Sequence, residues 1–155
     1  ALKVQNPMAQ LIFEGTDGNI IQPSEEDLPY DVKGDKIIIE DMDFGIWYVD
    51  AYDHPNLYLG KDIEFVAQAF HPKGMSQDMF VPVRKIMTCC ADDIRYYGYP
   101  CKVPAKTEIP FKKWIRICAR FEFEAVTSFG NEQPVLYLKH MEPAEKPEED
   151  VVYLG

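Results

Sequence analysis

The clearest pattern in the chain is the alternation of apolar and polar side chains, which has the period of a β-strand with one buried face. It is strongest over residues 114–126, where one predicted face collects Ile115, Ile117, Ala119, Phe121 and Phe123. The same period recurs over residues 62–70. Further apolar runs predict strands at 80–89, 94–103 and 135–141.

Two of these predicted strands are irregular. In the strand over 80–89 the alternation falters at Arg84 and Lys85, which predicts a bulge or a bend. The strand over 94–103 is interrupted by Gly98 and Pro100.

A helix is predicted before the strands, starting near Asp41 or Asp43, either of which can cap it by accepting a backbone N–H of the first turn. Apolar residues then recur at helical spacing, which predicts a stripe packed against the core. The stripe consists of Phe44, Trp47, Tyr48 and Ala51. The pair His54-Pro55 is expected to end the helix, because the residue before a proline disfavours the α region.

Five strands preceded by a helix predict a mostly β fold, which we interpret as a five-stranded OB-like Greek-key barrel over residues 58–141. Residues 1–57 are expected to form an N-terminal extension of loop, short strands and one helix that packs on the barrel. Residues 142–155 are rich in Pro and Glu and predict an acidic tail with little to bury. A meander or an open sandwich would give the same one-dimensional pattern.

Composition narrows the classes of function. The chain has 155 residues, the size of one domain, and a formal net charge of −10. Nucleic-acid binding needs clustered Lys and Arg, so this charge argues against it. No apolar run is long enough to span a bilayer, so we expect no direct membrane insertion by this chain. The sequence contains no complete catalytic constellation, which favours a non-enzymatic role.

The candidate chemistry is concentrated at the vicinal pair Cys89 and Cys90, which is followed by Asp92 and Asp93. Thiolates are soft ligands that suit zinc or copper, and a carboxylate can complete a zinc shell. The predicted metal ligands are Cys89, Cys90 and Asp92. Neighbouring thiols on a regular strand point to opposite faces, so both can bind one ion only if the pair lies in a turn.

A purely structural role for the same residues stays open. Cys89 would then be a small core hydrophobe, Cys90 would end the strand, and Asp92 would close an Asx-type turn. The three histidines of the chain lack metal-binding spacing, and His71 and His140 would reach the cysteines only if the barrel placed them on one rim.

Cys118 offers a second thiol site, because it lies between Arg116 and Arg120 on one predicted strand face. Flanking guanidinium groups lower the pKa of a thiol, which would suit a reactive cysteine. A thiol-redox protein, using Cys118 or the vicinal pair, is therefore one alternative function. A surface strand with charged neighbours, or a Cys101–Cys118 disulfide, would explain the same pattern.

An OB-type recognition module is the other alternative, with a small or oligomeric ligand bound by the loops at 71–79 and 128–134. The polar groups that would contact such a ligand are His71, Lys73 and Asn131. The net charge disfavours nucleic acid as that ligand.

Several short motifs in succession carry a family resemblance. They are Phe80-Val81-Pro82-Val83-Arg84, then Cys89-Cys90-Ala91-Asp92, then Gly98, then Trp114-Ile115. This succession resembles the soluble C-terminal domain of YcgQ-like proteins, a family of bacterial envelope proteins, over roughly residues 37–153. The Cys-Cys-Ala-Asp motif is its most specific element. The family's N-terminal membrane helices have no counterpart in this sequence, and Cys101 and Cys118 are not recognised as family positions.

The resemblance implies a place at the bacterial cell envelope, on the extracytoplasmic side, and a membrane permease as partner. It implies no established reaction. We therefore expect a non-enzymatic binding or accessory module whose site lies near Cys89, Cys90 and Asp92. A soft metal ion, zinc or copper, is its candidate ligand.

Overall fold

The structure is a computed structural model that describes residues 30–34, 36–125 and 131–153. This part of the chain is mostly β, as predicted. Its strands are β1 (Asp31–Lys33), β2 (Lys36–Ile38), β3 (Asp62–Phe70), β4 (Met79–Met87), β5 (Arg95–Tyr97), β6 (Cys101–Lys102), β7 (Trp114–Ala125), β8 (Glu132–Pro143) and β9 (Val151–Tyr153). One α-helix, α1 (Phe44–Asp53), precedes β3. Short 3₁₀ turns cover Asp41–Asp43, Pro55–Leu57 and Ala91–Asp93.

The strands form one mixed sheet whose pairings return to their starting point. From β3 the pairing runs through β7, β8 and β6 to β4, and β4 also pairs with β3. Most of these pairs are antiparallel, whereas β6 runs parallel to β8. The parallel pair of β2 with β3 extends the sheet on one side, and β5 and β9 both pair with β4 outside the circuit.

Strands β3 and β7 confirm the alternation predicted for them. They pair antiparallel, with Ile63 opposite Ala119 and Phe65 opposite Ile117, and all four side chains are at most 2% exposed. The residues between them, such as Glu64, stay partly exposed on the other face. One-sided burial of this kind produces the period of two along the sequence.

Helix α1 buries the aromatic stripe, which confirms the predicted core role. The ring of Trp47 packs on Phe65 with centroids 5.2 Å apart, and the ring of Tyr48 stacks on Tyr99 at 4.3 Å. Aromatic pairs at such distances stabilise a core beyond their area burial. Across the described residues, no helix combines the length and apolar character that crossing a membrane requires.

The start of α1 differs from the prediction. Asp43 occupies the N-cap position without a side-chain cap hydrogen bond, and Asp41 belongs to the preceding 3₁₀ turn. The Asp41 carboxylate instead pairs with Arg84, at 2.7 Å between Oδ1 and Nη1. A buried guanidinium needs an anionic partner, which explains why the Asp41 carboxylate binds Arg84 of β4 and does not cap the helix.

Strand β4 changes partners in its middle where a bulge or bend was predicted. One of its edges pairs with β3 up to Val83 and with β9 from Lys85 onward, without a register shift in either described pairing. Arg84 lies at this change and is 1% exposed. Its guanidinium donates to the carbonyl oxygens of Val66 at 3.2 Å and Glu149 at 3.0 Å. The break in alternation therefore marks a buried cation that joins three segments.

The predicted strand over 94–103 is divided into β5 and β6. Both parts pair with β4 in one continuous register, and the residues between them include Gly98. A Cβ atom at Gly98 would lie 2.3 Å from the carbonyl oxygen of Pro82. Glycine is required here because the β4 backbone approaches too closely for any side chain.

The end of the chain is more ordered than the expected acidic tail. Strand β8 runs to Pro143, and β9 pairs parallel with β4, where Val152 lies opposite Ile86 and is 2% exposed. The Lys85 ammonium also binds the Asp150 carboxylate at 2.8 Å. The Pro- and Glu-rich segment between β8 and β9 is thus a linker, and the short apolar strand β9 after it packs against the core.

Candidate metal centre

The vicinal cysteines lie in the connection between β4 and β5. The backbone bends over residues 88–90 and then forms the 3₁₀ turn Ala91–Asp93, after which β5 returns antiparallel to β4. The pair is therefore outside any strand, which meets the geometric condition under which both thiols can bind one ion. Cys89 and Cys90 are both exposed and both free thiols.

Three potential ligand atoms converge in this turn. Those of Cys89, Cys90 and Asp93 all lie within 4.8 Å of one another. The two Sγ atoms are 3.7 Å apart, and Cys89 Sγ donates a hydrogen bond of 2.7 Å to Asp93 Oδ2. In the part of the chain that the structure describes, this is the one such group with three or more Cys, His, Asp or Glu members.

Backbone hydrogen bonds hold the Asp93 carboxylate in place. Its Oδ1 accepts from the Thr88 N–H at 2.9 Å, and its Oδ2 accepts from the N–H groups of Cys89 at 2.9 Å and Cys90 at 3.3 Å. In return, the Cys90 side chain accepts from the Asp93 N–H, so the two residues form a capping box across the 3₁₀ turn. The turn is thus organised by the same carboxylate that faces the thiols.

The contact between Cys89 and Asp93 shifts the pKa values of the two side chains in opposite directions. The hydrogen bond from the Cys89 thiol, followed by those from the backbone, holds the pKa of Asp93 well below its usual range. The same carboxylate, and next the Cys90 thiol, raise the pKa of Cys89 to about 11. Cys89 therefore keeps its proton at neutral pH until a competing cation replaces it.

The donor geometry fits a tetrahedral ion. With Zn–S bonds of about 2.3 Å, two thiolates on a tetrahedral ion lie about 3.8 Å apart. The two Sγ atoms at 3.7 Å already have this spacing. Bonds of about 2.0 Å to oxygen would place a carboxylate oxygen about 3.5 Å from each sulfur, so Asp93 needs to withdraw by less than 1 Å from Cys89.

The third potential ligand atom belongs to Asp93, whereas the predicted ligand was Asp92. The carboxylate of Asp92 is not part of the converging group, although its backbone oxygen accepts a hydrogen bond of 3.1 Å from Arg95. The sequence does contain a signal for the observed choice. The spacing from Cys90 to Asp93 is that of a capping box, in which the fourth residue folds back on the first.

The residues predicted for the recognition loops lie elsewhere. The ring Nε2–H of His71 donates to the carbonyl oxygen of Ser76 at 3.0 Å, and its ring contacts Phe111 with centroids 5.4 Å apart. Lys73 and Asn131 are exposed. Residues 128–130 of the 128–134 loop lie outside the described residues, and β8 already begins at Glu132. Neither His71 nor His140 belongs to the converging group.

The surroundings of Cys118 do not support an activated thiol. Burial and then the Asp62 carboxylate raise the pKa of Cys118, the direction opposite to the predicted one. Arg116 pairs with Glu64 at 3.4 Å and Arg120 with Glu122 at 2.8 Å, so carboxylates offset both guanidinium charges.

The Cys101–Cys118 disulfide considered from the sequence is not present. Both thiols are free, and Cys101 is fully buried in the core. Burial raises the pKa of Cys101 far above its ordinary value, so this cysteine is an inert part of the core.

Comparison with known proteins identifies the family to which the chain belongs. The family model of the DUF1980 C-terminal domain matches residues 19–154. The chain belongs to that family. It is 26% identical over 120 residues to the UPF0703 protein YcgQ of Bacillus subtilis (strain 168), a match that covers 77% of this chain. The resemblance to YcgQ-like proteins is thereby confirmed. The chain spans about two fifths of the length of that relative, because the match covers 42% of it.

Proposed function

We propose that this chain is a non-enzymatic binding module that holds a soft metal ion through Cys89, Cys90 and Asp93. The observation that carries the proposal is the separation of 3.7 Å between the two Sγ atoms, the spacing that a tetrahedral ion needs. The carboxylate held by three backbone N–H groups supports it further, because the ligand turn is organised before the ion arrives.

Zinc suits this donor set better than copper. Copper(I) prefers thiolate and thioether sulfur, whereas zinc accepts thiolates together with a carboxylate. Replacing Asp93 with cysteine should therefore shift preference towards copper(I), whereas the native set should favour zinc.

The test measures metal in protein purified under reducing conditions without chelator. We expect close to one zinc per chain, and added zinc should raise the melting temperature of the reduced apoprotein, because only the native state offers the site. Cys90→Ser should lose the ion, whereas Cys118→Ser should keep it. Absence of bound metal together with no thermal shift would rule the proposal out.

We also propose that the five strands β3, β4, β6, β7 and β8 form an OB-like barrel. The closed circuit of pairings and the parallel β6–β8 pair support this interpretation, because five-stranded Greek-key barrels need both closure and a non-sequential strand order. An experimental structure in which β3 and β4 do not pair would contradict it.

We propose that the protein acts on the extracytoplasmic side of the bacterial cell envelope, together with a membrane permease. Membership of the YcgQ-like family supports this, since the chain corresponds to part of a longer relative. A test compares cellular zinc in bacteria that carry the wild-type or the Cys90→Ser protein, each with and without the permease. An effect of the variant that is the same without the permease would contradict the partnership.

A recognition function is the second candidate, and one feature favours it. A cavity of about 250 Å³ lies beside the predicted loop and is lined by Ala69, Phe70, His71, Phe111 and Lys112. Phe111 is 49% exposed there, and its ring lies edge-on against that of His71, so both rings are accessible to a ligand. Screening a small-molecule library by NMR should then give shifts that centre on His71 and Phe111 and disappear in Phe111→Ala.

A further inference from the structure

The proposed metal centre supplies three ligands, one fewer than a closed tetrahedral site. All cysteines and histidines of the chain lie in the described residues, so their positions can be compared with the site. Cys101 is buried in the core, and neither Cys118 nor any histidine belongs to the converging group. Within the described ranges, no fourth cysteine, histidine or carboxylate belongs to the converging group.

The histidines are held by other contacts. His54 Nδ1 lies 3.0 Å from the Asp50 carboxylate at the end of α1, and His71 donates to the backbone of its own loop. His140 Nε2 lies 3.7 Å from the Glu142 carboxylate on β8. Recruiting any of them would need a separate element to leave its place in the fold.

The ligand turn itself faces solvent. Both cysteines are exposed, and a single hairpin connection carries all three donors of the group found among the described residues. Structural zinc sites are closed by four protein ligands, whereas sites with three protein ligands keep a position for an external ligand. The arrangement of this turn belongs to the second class.

We infer that the fourth coordination position of the ion accepts an imidazole from outside this chain, so that the turn transfers zinc and does not store it. The inference rests on the proposed metal-binding function. Two thiolates and a carboxylate around Zn²⁺ leave a local charge of about −1, and the chain as a whole has a net charge of −10. A neutral imidazole adds no further negative charge, whereas a third thiolate would, which favours a histidine of the partner.

Cobalt(II) replaces zinc as an optical probe of this position, because its visible absorption depends on coordination number and ligand type. The experiment titrates imidazole into the reduced protein loaded with one equivalent of cobalt. We expect a saturable 1:1 change in the visible bands. The His71→Ala and His140→Ala variants should respond as the wild type does, since neither histidine supplies the fourth ligand.

A second measurement follows the release of zinc. A three-ligand site open to solvent should pass zinc to a small chelator by direct attack, with a rate that rises with chelator concentration. A closed site should release zinc at a rate that does not depend on the chelator. Controls with Cys118→Ser should release zinc as the wild type does.

The outcomes separate this inference from the proposed function. Stoichiometric cobalt with bands that do not respond to imidazole, or zinc release independent of chelator, would overturn the transfer site while leaving metal binding intact. An imidazole response that appears or strengthens only in a histidine variant would also overturn it, because that histidine would then occupy the fourth position in the wild type. If neither cobalt nor zinc binds, the proposed function itself fails.

Discussion

The Cys89 thiol donates a hydrogen bond to the Asp93 carboxylate, and the two side chains change each other's proton affinity in opposite directions. This contact bears on whether Cys89 acts as a metal ligand, as we propose, or as a redox-active thiol. A redox cysteine is expected to have a lowered pKa, whereas the pKa of Cys89 is raised to about 11. Cys89 is thus a thiol at neutral pH, the form that reacts less readily with oxidants.

We expect Asp93→Asn to speed the alkylation of Cys89. Without the carboxylate, the pKa of Cys89 should fall towards the ordinary value of 9.0, and the thiolate fraction at pH 8 should rise by about 100-fold. The lower pKa also makes each thiolate less nucleophilic, so the net gain should be about tenfold. Rates of iodoacetamide labelling, read by peptide mass spectrometry against pH, measure this.

The matched control for that experiment is Asp92→Asn. Its carboxylate is outside the converging group, so the labelling rate of Cys89 should change by less than about twofold. Equal acceleration in both variants would show that general charge, and not the hydrogen bond to Asp93, sets the reactivity of Cys89.

The same pair of variants tests the identity of the third ligand. Zinc affinity, measured by competition with a chromophoric chelator, should fall by about tenfold or more in Asp93→Asn, since an amide is a poor substitute for a carboxylate ligand. Asp92→Asn should bind zinc as the wild type does. A loss confined to Asp92→Asn would restore the ligand set predicted from the sequence.

A third prediction concerns Arg84, which is 1% exposed and binds the Asp41 carboxylate and two backbone carbonyls. Arg84→Met should lower the free energy of unfolding by about 3 kcal/mol, because the Asp41 carboxylate and two backbone carbonyls lose the buried donor that joins them. Arg116→Met is the control, since its ion pair with Glu64 is 3.4 Å long and its own side chain is 43% exposed. It should cost less than about 1 kcal/mol. Urea denaturation measures both, and equal losses would count against this role of Arg84.

The packing of β9 gives a fourth prediction. Val152→Asp places a carboxylate at a position that is 2% exposed and should destabilise the fold by about 3 kcal/mol or more. The neighbouring Tyr153→Asp, at a position that is 50% exposed, should cost less than about 1 kcal/mol. Similar melting temperatures for the two variants would indicate that β9 is not part of the stable fold in solution.

Sequence patterns predict the fold where burial is one-sided and the element is long. β3, β7 and α1 meet both conditions, so their periods of two and 3.6 residues are visible in the chain. β9 has only three residues after an acidic segment, too few to show a period. The role of Arg84 also could not be read, since a lone arginine in a strand is normally a surface residue.

The structure brings together two of the three predicted ligands, Cys89 and Cys90, with Asp93 in the position expected for Asp92, and metal binding by these residues stays a prediction. The sequence suggested Cys89 and Cys90 as metal ligands because they are adjacent and because thiolates are soft ligands. The choice between Asp92 and Asp93 depends on the dihedral angles of a 3₁₀ turn, which composition does not determine. A capping-box spacing starting from cysteine is rarely considered, because serine and threonine normally occupy that position.

The pairing of β9 with β4 affects when, during synthesis and folding, the turn that carries Cys89 and Cys90 gains its supporting contacts. Met87, two residues before Cys89, lies opposite Tyr153, and Arg84 contacts the backbone of Glu149, 65 residues further along the chain. Contacts between such distant residues form late, and on the ribosome they cannot form until that segment has been synthesised. The thiol-bearing turn therefore gains its full support only after residues 149–153 have been synthesised, so cysteines exposed on the nascent chain would depend on a reducing environment until then.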